Sequence, residues 1–473
     1  MMKVIFSTIY SLYFCHMNAK QLIQKYNVPG PRYTSYPTVP FWRKNELNES
    51  EWLNELNHSF QKYPSGNIGI YIHLPFCESL CTFCGCHKRI TKNHEVETPY
   101  IDAVLKEWNL YKQHLPKDIK ISELHFGGGT PTFFHPSELV RLLKGIFQTN
   151  QINPNECDLS FEAHPNSTSE LHLQTLFEYG FRRVSFGIQD YDPIVQKAIH
   201  RMQTLEEIQD VHENSKRIGY TSINHDLVYG LPHQTLEGFQ QTIDYTIDLK
   251  PERIALYGYA HVPWIKGTGQ RGYDEKDLPQ DSEKRALYEM ACEKLIAHGY
   301  IAIGMDHFAL PTDKLAQAFH AKRLHRNFMG YTTKTTKFLL GLGMSAISDS
   351  WTGFAQNEKT VESYQDQINR GELAVFRGHL LNELELEIRS YILDLMCHFE
   401  TTFQTNSKDT DTHDFIREKL TPLVMDGLVT VDGSTVKVTE KGYPFVRNVC
   451  MAFDLDLDLH KYEGGKPLFS ATI

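Results

Sequence analysis

IGIYIHLPFCESLCTFCGC, residues 68–86, runs from an alternating β-branched segment straight into a loop that carries four cysteines. The first seven residues read as a strand, because Ile68, Ile70 and Ile72 alternate with Gly69, Tyr71 and His73 at a strand's period of two. Runs of the same texture recur down the chain: ISELHF (121–126), DLSFEA (158–163), RRVSFGIQ (182–189), SINHDLVYG (222–230), RIALYGYA (253–260) and YIAIGMDHF (300–308). Between them lie segments such as TSELHLQTLFEYG and TLEEIQDVHENSKRIG, with apolar residues at helical spacing and a glycine at the stop. Strand, helix, strand at regular intervals predicts an α/β fold of βα units, and six or seven such units curl into a complete or partial βα barrel.

A barrel makes a demand on the sequence, since its chemistry sits at the C-terminal ends of the strands and in the loops that follow. The cysteine loop follows the first expected strand and GGGTPT (127–132) the second. Glu162 falls near the end of the third, Gln189 ends the fourth, Asp226 lies in the fifth, and Tyr257 to His261 end the sixth. Chemistry-bearing residues therefore collect at one predicted rim.

Away from the strands the texture changes twice. VPGPRYTSYPTVPFW (28–42) is too rich in proline for a helix and predicts an extended arm anchored by its side chains. From about residue 378, LNELELEIRSYILDLM and FIREKLTPLVMDG read as helices, FQTNSKDTDTH (403–413) as a polar loop, and LVTVDGSTVKVTEKG as a hairpin around Asp-Gly. The expected partition is an upstream extension over 1–16 ahead of a start at Met17, an N-terminal arm with helices over 17–62, a partial (β/α)6-type barrel over 63–377, and a smaller, mainly helical, winged-helix-like domain over 378–473.

The 473 residues carry a net charge of −10, with 41% hydrophobic and 22% charged residues. That balance is ordinary for a globular enzyme. Without a long Lys/Arg run it argues against a nucleic-acid partner, and no apolar stretch reaches the length of a membrane span. The remaining cysteines, Cys15, Cys157, Cys292, Cys397 and Cys450, are too dispersed for a disulfide framework, which suggests a reducing, cytoplasmic setting.

The clustered cysteines are spaced Cys77-x3-Cys81-x2-Cys84-x-Cys86. Structural zinc uses two separated knuckles, and no second pair of that spacing follows. Bacterial ferredoxin spacing differs as well. Four packed thiols without a metal are the bland alternative. Three thiolates at x3 and x2 suit a cubane cluster that leaves one iron open to a ligand.

The CxxxCxxC pattern, with Phe83 just before its third cysteine, resembles that of the radical S-adenosyl-L-methionine (SAM) enzymes. RYTSYPT (32–38), YIHLPFCESLCTFCGC, GGGTPT, FGIQD (186–190), DLVYGLP (226–232), YAHVP (259–263), IGMDHF (303–308), LHRNFMGYTT (324–333) and LLGLGMSAIS (339–348) narrow the resemblance to the oxygen-independent coproporphyrinogen III oxidases. It runs from about residue 30 to RNVCMAFD at 447–454. It implies a 4Fe-4S cluster, SAM as cosubstrate, and a 5′-deoxyadenosyl radical that takes hydrogen from the β-carbon of a propionate. Loss of CO2 and a further electron then leaves a vinyl group. Performed on two propionates, this turns coproporphyrinogen III into protoporphyrinogen IX in haem biosynthesis. A reduced flavodoxin or ferredoxin-like donor, an unidentified electron acceptor and a monomeric, cytoplasmic enzyme go with it.

By the same resemblance, Cys77, Cys81 and Cys84 hold the cluster. Tyr71, Gly128, Glu162 and Ile347 surround the SAM on it, and Phe83, Gly129, Thr130, Gln189, Arg201, Asp226 and Ala260 surround a second SAM. Cys86 supports catalysis without binding the cluster. Arg32 and Arg326 are candidate cations for the substrate carboxylates, the RYTSYPT arm is a candidate gate, and His307 and His325 are candidates for a catalytic role or, equally, for structural hydrogen-bonding. Glu162-Ala-His164-Pro165 departs from the family's usual Glu-x-Asp-Pro, which leaves the polar network at position 164 open. Two rivals stand beside this reading: a haem-binding chaperone or other tetrapyrrole enzyme of the same superfamily, and a non-catalytic iron–sulfur sensor.

Overall fold

The computed structural model of the chain describes residues 19–44, 47–64, 66–148, 153, 155–263, 270–404, 410–459 and 468–472. The expected extension over 1–16 and the start at Met17 lie outside the described residues.

Six parallel strands stand side by side in chain order: β1 (Asn67–Leu74), β2 (Lys120–Gly128), β3 (Asp158–Ala163), β4 (Arg183–Gln189), β5 (Ser222–Tyr229) and β6 (Arg253–Gly258). Each is followed by a helix: α1 (Glu97–Lys112), α2 (Pro136–Phe147), α3 (Glu170–Glu178), α4 (Leu205–Ile218), α5 (Leu236–Leu249) and α6 (Asp281–Ala297). Local chemistry sets the helix ends. Ser169 and Thr204 cap α3 and α4, accepting from the amides of His172 and Glu207 while those side chains reach back. Gly219, at φ +113°, ends α4 where the chain must turn left-handed.

The expected seventh unit at 300–308 is not one strand. Gly304, at φ +60°, breaks it into an antiparallel pair, β7 (Ile301–Ile303) and β8 (His307–Ala309), with β8 running antiparallel to β6. A seventh parallel strand comes instead from LLGLGMSAIS. β9 (Leu339–Leu342) pairs with β1 on the side away from β2, and three further antiparallel strands and the short Arg43–Lys44 extend the sheet beyond it. The sheet keeps two edges, so the barrel is open, as the partial-barrel reading expected.

Alternation assigns the two faces. Ile68, Ile70, Ile72, Leu124, Phe126, Leu159, Phe161, Val184 and Phe186 are buried in the core beneath the helices. The intervening residues, Tyr71, His73, His125, Ser160, Glu162, Ser185, Asn224 and Asp226 among them, face the other way and make the barrel interior polar.

Contacts divide the described residues into two compact units, one within 42–323 and 333–382 and the other within 19–41, 324–332 and 383–472. The first holds the sheet, and with it the helix Glu49–Lys62, whose Phe60 stacks on Phe338 at 4.1 Å. In the second, the arm holds no α-helix but is not extended throughout: Tyr33 sits at φ +48°, the chain bends over 34–37, and Val39–Phe41 forms a 3-10 turn, while side chains anchor it. The Tyr33 hydroxyl donates to Asp454 at 2.9 Å and Arg447 Nε to the carbonyl of Pro31 at 2.9 Å. The expected hairpin is present as Val429–Asp432 paired with Thr435–Val438. Of the expected polar loop over 403–413, residues 405–409 lie outside the described residues, and a helix begins at Thr410.

Candidate active site

The loop after β1 folds back beside the strand it left. Phe76–Cys77 pairs in parallel with Arg89–Ile90, so the cysteine loop returns to the mouth of β1. His73 ties the return: its Nε2 donates to the carbonyl of His87 at 2.8 Å, which leaves Nδ1 to accept from the Tyr71 hydroxyl at 3.0 Å. Lys88 Nζ donates to the carbonyls of Cys84 and Cys86, each at 3.2 Å. On the far side the amide of Thr82 donates to the carbonyl of Ile199 at 3.0 Å. Strand, loop and the segment after β4 are thereby knotted together.

All four loop thiols are free. Cys77 Sγ lies 3.3 Å from Thr130 Oγ1, and Arg201 Nη1 reaches Cys81 Sγ at 3.6 Å. Burial pushes the Cys77 thiol up to about 11, whereas the Cys86 thiol, donating to Cys84, holds Cys84 below its ordinary range, with Lys88 and Arg201 helping. Among the described residues no three His, Cys, Asp or Glu side chains converge as a single-ion site. Of these four free thiols, the three at x3 and x2 spacing, with two cations nearby, suit thiolates spread around a polyatomic anionic cluster.

GGGTPT wraps the end of β2. Gly128 sits at φ +118°, where a Cβ would also meet the His73 ring at 2.9 Å. A Cβ on Gly129 would lie 2.5 Å from the carbonyl oxygen of Pro75, so only glycine lets this turn lie against the cysteine loop. The amide of Gly128 donates to Glu162 Oε2 at 3.2 Å. Tyr71, Gly128 and Glu162 thus come together at the rim, beside His73 and His125.

The other expected residues form neighbouring groups. Arg201 grips the carbonyl of Gly187 with Nε at 3.1 Å and Nη2 at 2.5 Å, two residues from Gln189, whose φ of +70° marks a bulge at the end of β4. Asp226 accepts from Ser185 Oγ at 2.9 Å and Asn224 Nδ2 at 2.8 Å. Burial pushes its carboxyl up to about 6, these donors oppose that, and Glu162 adds to it. Ala260 and Phe83 share one partner, since Gln270 Nε2 donates to the first carbonyl at 2.7 Å and to the second at 3.5 Å. Ile347 stands apart from these groups. Its backbone packs on Gly341, which pairs with Tyr71 across β9 and β1.

At the departure from the family pattern, His164 Nδ1 accepts from the amide of Asn166 at 3.2 Å and caps a short turn, so an imidazole does there what a carboxylate would. Burial and the neighbouring Arg201 keep that ring neutral, pushed down to about 3. His307 lies in β8 against Asp306 at 2.6 Å and Tyr257. Arg326 is buried in the arm's unit, 4.4 Å over the Tyr331 ring, and donates to the carbonyl of Arg32 at 3.4 Å. Residues 325–327 form a short strand there.

Sequence reasoning passed over His73, His125, Lys88 and Gln270. The first two carried a signal in the strand alternation, which sets His73 on the face of Tyr71 and His125 on that of Gly127. Lys88 and Gln270 act on backbone carbonyls, and no periodicity announces that.

The Radical SAM superfamily model matches residues 71–246. The oxygen-independent coproporphyrinogen III oxidase of Pseudomonas aeruginosa is 38% identical over 92% of this chain and 95% of its own length. The Escherichia coli enzyme of the same name is 39% identical over 92% and 94%. A solved structure of coproporphyrinogen III oxidase from Escherichia coli, described there as a radical SAM enzyme, superposes with a TM-score of 0.84 at 37% identity, covering 90% of this chain and 98% of that one. A likeness of this extent, over a barrel rim that carries the cysteine loop, means that the chain belongs to the oxygen-independent coproporphyrinogen III oxidases of the radical SAM superfamily.

Proposed function

We propose that the chain oxidatively decarboxylates two propionates of coproporphyrinogen III to vinyl groups without molecular oxygen, giving protoporphyrinogen IX in haem biosynthesis. The observation that carries the reading is the convergence of the Cys77–Cys86 loop with Tyr71, Gly128 and Glu162 at one rim, in a chain of this family. When bound, the 4Fe-4S cluster and SAM supply the one-electron reduction and the 5′-deoxyadenosyl group that takes the hydrogen.

The protein's own residues hold and shield. Cys77, Cys81 and Cys84 bind the cluster, with Arg201 and Lys88 offsetting its charge. Tyr71, Gly128, Glu162 and Ile347 surround the SAM on it. Glu162 offers acceptors there and is half exposed, at 46% of its side chain. Phe83, Gly129, Thr130, Gln189, Arg201, Asp226 and Ala260 surround a second SAM, whose carboxylate suits a guanidinium. A reduced flavodoxin or ferredoxin-like protein delivers the electron, and the enzyme works as a cytoplasmic monomer. Among the described residues no helix is long and apolar enough to cross a membrane.

The test is anaerobic purification, reconstitution with iron and sulfide, and mass spectrometry of coproporphyrinogen III incubated with SAM, a reductant and an electron acceptor. Two successive losses of CO2 with formation of 5′-deoxyadenosine are expected. Deoxyadenosine without decarboxylation would overturn the substrate and return the chaperone-like rival. Cys86→Ser is expected to retain full iron and lose at least tenfold in turnover; loss of iron would make Cys86 a ligand instead.

A further inference from the structure

His125 sits one residue-pair inside the rim, and its ring is held from three sides. It is opposite Ser160 in the β2–β3 register, and Ser160 is in turn opposite Arg183 in β3–β4. Side chains follow the same line. Arg183 Nη2 donates to Ser160 Oγ at 3.1 Å, Ser160 Oγ lies 2.8 Å from His125 Nδ1, and His125 Nε2 faces Glu162 Oε1 at 3.5 Å. The Tyr71 ring lies nearly parallel to the imidazole, 20° between planes at 6.0 Å. Arg183 is itself anchored on Asp158 at 2.9 Å.

The donors in this line run one way. A guanidinium only donates, so the Ser160 oxygen accepts from Arg183 and keeps its own proton available for His125 Nδ1, 2.8 Å away. An Nδ1 that accepts leaves the proton of the neutral ring on Nε2, aimed at the Glu162 carboxylate. The other carboxylate oxygen is held by the Gly128 amide. One carboxylate oxygen is therefore held by an amide and the other is faced by the imidazole at 3.5 Å, which biases the carboxylate toward one orientation at the rim.

We propose that His125 is a positioning residue for SAM binding, acting through Glu162 as the last link of the Arg183–Ser160–His125 hydrogen-bonded line. This rests on the reading above that Glu162 contacts SAM. Nothing in the sequence pattern marks the role, because the three residues belong to three strands.

Equilibrium dialysis of radiolabelled SAM against cluster-loaded protein tests it, with iron and sulfide per chain measured on the same samples. His125→Ala is expected to weaken SAM binding about tenfold at unchanged iron, as loss of a contact to a charged group would. His125→Gln, whose amide can replace the Nε2 donor, should recover to within about threefold of the parent. In a Glu162→Gln background His125→Ala should cost almost nothing more. Wild-type affinity in His125→Ala, no recovery in His125→Gln, or an undiminished cost in the Glu162→Gln background would each overturn the proposal. Should His125→Ala fail to fold, Ser160→Ala carries the test: a severalfold loss of SAM affinity at full iron supports the line, and unchanged affinity breaks it. A fully loaded parent that binds no SAM, or a Glu162→Gln variant that binds it as the parent does, would overturn the Glu162 reading instead.

Discussion

The two ends of the barrel spend the same residue types on opposite tasks. At the N-terminal floor, charges answer charges: Arg183 meets Asp158 at 2.9 Å, Arg253 meets Asp313 at 2.7 Å, and Ser222 adds a bond to Asp313 at 2.7 Å. Burial would raise the Asp158 carboxyl, and the Arg183 guanidinium overcomes that and holds it below its ordinary value. At the C-terminal rim, side chains answer backbone: Lys88, His73, Arg201 and Gln270 all donate to carbonyls, and the carboxylate of Glu162 takes an amide. The Asp226 carboxyl, with no cation bonded to it among the described contacts, is pushed up to about 6. A closed ionic set stabilises. Side chains that position backbone and leave thiols and carboxylates facing the interior prepare a site, and this is the division of labour that a barrel's two faces favour.

If the comparison is right, rim changes should cost function at little cost in stability, and floor changes the reverse. The largest effect expected is at Cys77, Cys81 or Cys84: any one changed to Ser should bring iron per chain to background and abolish SAM cleavage, while cluster-free variant and cluster-free parent melt together. A variant that keeps its cluster would break the rim's side of the comparison. Next is Asp313→Ala on the floor. It strands a buried guanidinium and should lower unfolding free energy by about 3–5 kcal/mol in urea titrations, with the iron content of the folded protein unchanged. A loss below about 1 kcal/mol would mean that the floor is not what holds the barrel.

Gly129→Ala sharpens the boundary between the two classes. Its Cβ would press on the Pro75 carbonyl oxygen, and the backbone must give way. A loss of about 1–3 kcal/mol is expected together with severalfold lower iron incorporation. Loss of stability alone, at full iron, would place this turn with the floor. The smallest effect belongs to the wall between the ends, where His212 of α4 and His225 of β5 lie buried with Nδ1 and Nε2 3.1 Å apart. Burial holds both below 6.5, His212 at about 4, and Lys216 adds to this. The unfolded chain therefore binds more protons, and stability present above pH 6.5 is lost as pH falls toward 4. His225→Leu should flatten that part of a pH series of denaturation curves, and an unchanged slope would assign the acid sensitivity elsewhere.

Much of this was legible before any coordinates. Alternation at 68–74 and runs of helical spacing ending on glycine are local patterns, and they gave the first six βα strands in order. The reading went astray at 300–308, where Gly304 turns the chain back. A glycine within an alternating run reads equally well as strand or turn until a neighbouring strand is there to pair with. It also left β9 unassigned to the barrel, since a buried run such as LLGL has no alternation to betray its partner.

The sequence by itself determined the chemistry: a spaced cysteine loop after a strand, glycines at the next strand's end, carboxylates and amides at the strand ends beyond, all set by residue type and position along the chain. Only the tertiary structure decided which groups act on one another. Glu162 is oriented by an amide from β2, a histidine from β2, a serine from β3 and an arginine from β4, and Asp313, far along the chain, closes the floor beneath them. Hydrogen bonds and ion pairs act over about 3 Å between atoms, and only the register of neighbouring strands, with the turn after β8 for Asp313, brings residues so distant in the chain within that reach.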